Sequence, residues 1–155
     1  MKKDLFSANI ESWMLPHIKQ FFHLNSVTRL DHDNYSYLDP EVPFLIGFEN
    51  ITEFTTTGSI GDILNMAAKS GKIANIIYLS SYGVYYPKKV KFTETDIISP
   101  MNYVGTKSAI LEEVLLYLSR RYDLSLTILR LFNPYGSFQN SPYVIPTVLK
   151  EIIES

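Results

Sequence analysis

Short apolar runs alternate along the chain with longer segments in which apolar side chains return every third or fourth position. The runs predict strands over residues 3–7, 26–31, 42–47, 73–80 and 125–131, several rich in the β-branched and aromatic side chains that suit a pleated surface. The longer segments predict helices over 10–22, 60–69, 102–122 and 144–154. In the third, Ile110, Leu111, Val114, Leu115 and Leu118 form one apolar stripe, and Glu112, Glu113 and Arg120 are expected to face elsewhere. Pro16 lies inside the first helix and predicts a break or kink, because proline lacks the N–H and crowds the preceding turn. Strands alternating with helices are the pattern of a mostly parallel sheet, so the fold class is α/β with about five strands.

Breakers stand between these segments: Asp39-Pro40, Ser70-Gly71, Tyr86-Pro87, Ser99-Pro100, Asn133-Pro134 and Ser141-Pro142. With no internal repeat or low-complexity linker, residues 1–155 are expected to form a single domain. A composition of 46% hydrophobic and 19% charged residues is that of a soluble globule, and a net charge of −2 offers no footprint for nucleic acid. The absence of cysteine excludes disulfides and thiolate metal sites and fits a reducing compartment, so a cytoplasmic location is expected. His17, His23 and His32 have no ligand spacing, and no metal site is expected. No apolar run approaches membrane length, and Asp4, Asn9, Glu11 and Ser12 interrupt any leader core behind Lys2-Lys3.

The candidate chemistry lies between Ile76 and Gly136. A predicted strand ends in Ser80-Ser81, and Tyr103 and Lys107 open the long third helix one turn apart. Tyr85 and Lys89 share that spacing, but Pro87 between them denies the helix that would bring both side chains to one face. A free phenol titrates near pH ~10, and an adjacent ammonium favours its ionised form, so Lys107 is placed to tune Tyr103 as an acid–base group. Ser81, at the carboxyl end of its strand, lies where an open parallel sheet forms its ligand crevice, and its hydroxyl suits a developing oxyanion. Ser80 takes that place if the register is shifted by one.

The ordered set Leu79-Ser-Ser-Tyr-Gly-Val-Tyr85, Glu94, Ser99-Pro100, Tyr103-x-x-x-Lys107 and Leu129-Arg-Leu-Phe-Asn-Pro-Tyr-Gly136 resembles the extended short-chain dehydrogenase/reductases. Within them it is similar to the NAD-dependent nucleotide-sugar epimerases and dehydratases, typified by UDP-glucose 4-epimerase. The resemblance implies a reduced Rossmann-like doubly wound sheet and an oxidoreductase domain acting on a nucleotide sugar with NAD or NADP. It makes Ser81, Tyr103 and Lys107 catalytic, and places Ser80, Tyr103, Lys107, Phe132 and Pro134 at the cofactor. Lys107 would hold the nicotinamide ribose, Ser81 and Asn133 the substrate. Asp31, or Asp33, follows the second strand where an acidic side chain takes the ribose hydroxyls of NAD. The long helix over 102–122, with Leu115, Leu116, Tyr117 and Leu118 in succession, would join a second copy in a homodimer.

The front of the chain departs from that pattern. The family's first turn is Gly-x-x-Gly-x-x-Gly, because phosphate oxygens approach a helix N-terminus only where side chains are absent. Aligning residues 2–31 without gaps puts Ala8, Glu11 and Met14 at the glycine positions. Like charges about 4 Å apart repel by roughly 1 kcal/mol in water and by more when partly buried, so Glu11 opposes a pyrophosphate. Residues 33–42 are too few for the helix, strand and helix usual there, but the missing strand is an edge strand whose loss spares the sheet. Residues 144–150 resemble the lead into the substrate domain, which the chain is expected to lack. These features define the alternative expectation: an inactive relative, or a fragment, serving as an interaction or dimerisation module. Gly58-Ser-Ile-Gly61 reads as a helix start capped by Thr57 or Ser59, and 87–91 as a solvated basic loop.

Overall fold

The computed structural model describes residues 4–8, 14–22, 26–29, 44–46, 60–137, 139 and 143–154. Its elements run in the order β1 (Asp4–Ala8), α1 (Met14–Phe22), β2 (Ser26–Arg29), β3 (Phe44–Ile46), α2 (Ile60–Lys69), β4 (Asn75–Ser81), a 3₁₀ turn (Tyr82–Val84), α3 (Tyr103–Tyr122), β5 (Ser125–Leu131) and α4 (Val144–Glu154). The five strands form one sheet in the order β2-β1-β3-β4-β5, and every pairing is parallel. The chain winds one way from β1 to β2 and the other way through β3, β4 and β5. The reversal lies between β1 and β3, where Ala8 is in register with Ile46, and such a switch point is where doubly wound sheets open a ligand crevice. The third strand implied by the resemblance has no counterpart among the described residues, and the sheet is continuous without it.

β4 is the backbone of the core. Ile76, Tyr78, Leu79 and Ser80 are all buried, and the strand pairs over its full length with β5. On it pack Leu111, Leu115 and Leu118 of α3 with Ala67 and Ala68 of α2. Tyr122 Oη donates to Asn65 Oδ1 at 3.0 Å and ties the two helices. In β5, Ser125, Thr127 and Leu129 face out while the residues between them turn inward, the alternation of a strand covered on one side.

Among the described residues the breakers act where the sequence places them, and Asp39-Pro40 and Ser141-Pro142 lie outside those residues. α2 ends at Gly71, whose φ of 69° a side chain would strain, with Gly71 N–H bonded to Ala68 O and Lys72 N–H to Ala67 O. α3 starts at Asn102, whose Oδ1 accepts from Gly105 N–H at 2.8 Å, and stops at Asp123, a left-handed residue with φ 53°. Pro16 does not break α1. The helix begins at Met14, so Pro16 falls in its first turn, where the N–H has no intrahelical partner to lose. Thr57 and Ser59 lie outside the described residues. Among the described residues no helix is long and apolar enough to cross a membrane.

Two expectations for α3 are corrected. Glu112 does not face away from the stripe but is fully buried, and Ile110, placed in the stripe, is 47% exposed. The buried face runs through Gly105, Ser108, Leu111, Glu112, Leu115 and Leu118, rotated toward polar positions that find partners inside. Leu116 is half-buried and Tyr117 exposed on the other side.

The rotation of α3 brings its first turn against the 3₁₀ turn. Gly105 lies so close to the 3₁₀ turn that a Cβ there would sit 1.9 Å from Gly83 O and 2.5 Å from Gly83 C. A Cβ on Gly83 would in turn meet Gly105 Cα at 3.4 Å. Backbone therefore packs on backbone, and only glycine allows it. Gly105→Ala is expected to cost about 2–4 kcal/mol in urea unfolding, because a backbone segment must move. Gly71→Ala, strained in φ but in open space, should cost about 1 kcal/mol. A smaller loss at Gly105 than at Gly71 would refute this docking.

Candidate active site

The Gly83 contact brings together two elements distant in sequence. One is the end of β4 with its turn, which carries Ser81; the other is the first turn of α3, which carries Tyr103 and Lys107. Ser81 Oγ accepts from Gly83 N–H at 3.1 Å, an N-cap that shapes the turn and leaves its own O–H to donate. Tyr103 is the first residue of α3 and 63% exposed. Lys107 Nζ lies 4.9 Å from its ring centroid, over the face of the phenol, as the one-turn spacing predicts. Tyr85, of the rival pair, is buried and no helix joins it to the exposed Lys89.

Beside Ser81 a crevice of about 530 Å³ opens at the carboxyl ends of β4 and β5. Tyr82, Asn133 and Pro134 line it with Ser81, and Val144 and Ile145 of α4 form its far wall. Asn133 holds φ 43°, a left-handed conformation that asparagine tolerates and that turns the chain sharply after β5. Phe132 lies behind this crevice, its ring stacked on Tyr82 at 5.2 Å. Ser80 is turned the other way. It is fully buried, and its hydroxyl is committed to Glu112, so of the two serines only Ser81 meets the crevice.

Below the site lies a polar network that the sequence pattern did not reveal. Glu112 receives Ser80 Oγ at 2.5 Å, Arg130 Nε at 3.0 Å and Arg130 Nη2 at 2.8 Å. Arg130 Nη1 donates onward to Tyr85 Oη at 2.7 Å and to Glu94 O at 3.2 Å. One guanidinium thus ties β5 to α3 and to the loop after the 3₁₀ turn, and its bonds to Glu112 raise its pKa above the ordinary arginine value. The signal was present in hindsight: a glutamate within an apolar helix stripe and an arginine within a strand, each of which needs the other. Burial pushes the Tyr78 phenol up to about 12, against hydrogen bonds from Ser108 and Ser80 and with the Glu112 charge adding to the rise. In the basic loop Lys88 pairs with Asp96, whose carboxyl its hydrogen bond holds below the usual range.

The residues fit one end of a dinucleotide better than the other. Ser81, Tyr103 and Lys107 are the residues that the resemblance sets at a nicotinamide and its ribose. At the pyrophosphate end, Ala8 closes β1 and Met14 opens α1, so two of the expected glycine positions carry side chains. Glu11, Asp31 and Asp33 lie outside the described residues, as do His23 and His32. Among the described residues no cluster of acidic or histidine side chains could hold a metal.

Residues 51–155, more than half of the chain, match the model of the NAD dependent epimerase/dehydratase family. The chain belongs to that family. Its fold is that of solved members. A UDP-glucuronic acid 4-epimerase from Bacillus cereus, in complex with UDP-glucuronic acid and NAD, superposes with a TM-score of 0.72 at 14% identity. That match covers 97% of this chain and 63% of the other. MoeE5 in complex with UDP-glucose and NAD gives 0.73 at 17% identity, over 95% and 60% of the two chains. A dTDP-glucose 4,6-dehydratase from Bacillus anthracis in complex with NAD gives 0.68 at 17%, over 97% and 61%. The chain thus spans about three fifths of the length of these structures. A search of the curated proteins returned no match.

Breaking the buried pair from one side leaves a charge without a partner. Arg130→Met is expected to cost about 3 kcal/mol in urea unfolding, and a second change, Glu112→Leu, to recover much of that loss. A loss under about 1 kcal/mol for Arg130→Met would mean that water, not Arg130, satisfies Glu112.

Tyr78 adds a pH dependence. Its folded pKa is raised from 10.0, so its stabilising share is complete below pH 10 and is lost as the pH climbs toward 12. Unfolding free energy should therefore fall over that window, and Tyr78→Phe should flatten the fall. An unchanged slope in the variant would sink the assignment.

Proposed function

We propose that this chain supplies the acid–base half of a nucleotide-sugar oxidation, with Tyr103 moving the proton of a sugar hydroxyl. The observation that carries the reading is the Gly83–Gly105 contact, which packs the Ser81 turn against the start of α3 at the carboxyl edge of the sheet. Lys107 lies over the Tyr103 ring, where its ammonium can hold the cofactor ribose beside the phenol, and Ser81 donates its free O–H to the same sugar oxygen. A nicotinamide bound at this edge, NAD or NADP, supplies the hydride acceptor. The neighbouring structures hold NAD and UDP-sugars, which supports a nucleotide sugar as the substrate class.

A second reading rests on Ala8 and Met14. Side chains at the pyrophosphate end favour a fold kept for interaction, with Ser81, Tyr103 and Lys107 inherited and unused.

One titration separates the two. NADH added to the protein should quench Trp13, the only tryptophan, which falls between β1 and α1 in the sequence. Micromolar binding is expected on the first reading, with Tyr103→Phe then lowering turnover of UDP-sugars by about 10²-fold or more at an unchanged melting temperature. Silence at millimolar NADH, checked by calorimetry, would favour the second.

A further inference from the structure

Resting on the nucleotide-sugar reading, we infer that Tyr82, backed by Phe132, is the platform that holds the sugar ring of the substrate. Tyr82 directly follows Ser81 and lines the same crevice, 41% exposed. Its ring is not loose. It stacks on Phe132 at 5.2 Å with an interplanar angle of 26°; Phe132 leans on Phe92 at 5.4 Å, and Phe92 stacks on Tyr85 at 5.2 Å. Tyr85 is buried and held by Arg130, so the row of four rings is anchored in the core at one end and reaches the crevice at the other. A ring braced in this way gives up little freedom on binding.

The rest of the crevice says what the platform takes. Its described lining offers the Ser81 hydroxyl, the Asn133 and Gln139 amides and tyrosine phenols, and no charged side chain. A phosphate or carboxylate would call for a guanidinium or ammonium. Neutral donors and acceptors around an aromatic face match a pyranose, whose hydroxyls lie at its edge and whose C–H groups cover one side. Those C–H groups carry slight positive charge and meet the negative face of the phenol. Pressed on Tyr82, the ring would present an edge hydroxyl to Ser81 one residue away.

Saturation-transfer NMR with UDP-glucose tests this, because it reads glucosyl and uracil protons separately and tolerates weak binding. The platform predicts strong transfer to the glucosyl ring in the native protein. It also predicts about a tenfold weaker affinity for UDP-glucose in Tyr82→Leu, with binding of UDP unchanged. Tyr82→Phe, which keeps the ring and the stack on Phe132, should stay within about twofold of native and covers the case in which the leucine variant melts early. Equal losses for UDP and UDP-glucose, or a loss in Tyr82→Phe as large as in Tyr82→Leu, would overturn the platform while leaving the nucleotide-sugar reading intact. Native protein that receives no saturation from either ligand would overturn both.

Discussion

A carboxylate taken wholly out of water governs how this molecule is assembled. Glu112 sits on the buried face of α3, and an isolated ion there would cost several kcal/mol. Arg130 offsets that cost with a two-pronged pair from β5, and Ser80 adds a hydroxyl from β4. The angle of α3 about its own axis is set by this demand as much as by Leu111, Leu115 and Leu118. Because Arg130 also turns its Nη1 to Tyr85 and Glu94, the loop that follows β4 is held by the same charge.

The glycine contact works on this frame. With α3 rotated so that Glu112 is inside, Gly105 meets the carbonyl of Gly83, and the helix start comes to rest on the turn that follows Ser81. Tyr103 is left exposed and Lys107 half-buried in the first turns of α3, outside the described lining of the crevice. Packing thus accounts for the interior half of each element, and the exposed half remains for chemistry. At the other edge, β1 pairs regularly with β2 and β3 although Ala8 and Met14 carry side chains where the resemblance sets glycines.

Much of this was legible along the chain. The five strands and four helices follow from apolar period, and the breakers Ser70-Gly71 and Ser99-Pro100 fall at real joints. The rejection of Tyr85 and Lys89 rested on one proline and holds, since Tyr85 serves the core. Three readings were less secure for physical reasons. Apolar period does not fix a helix start to within a turn, so it places Pro16 in the interior of α1 rather than in its first turn. Ile110 and Glu112 exchanged places because period alone places apolar side chains inside and has no term for a charge with a partner far along the chain. Ser80 and Ser81 were hard to separate because adjacent residues on a strand face opposite sides, and one step of register decides which of them meets the crevice.

By itself the sequence determined the elements, their parallel arrangement, and the candidate acid–base pair, because these depend on local spacing and on residue type. It also exposed the missing glycines, an absence that needs no coordinates to see. Only the tertiary structure decided the partnership of Glu112 with Arg130, the close approach of Gly83 to Gly105, and the row of rings that ends at Tyr82. Each joins residues from different elements through distance and orientation, and no period along one segment carries that information.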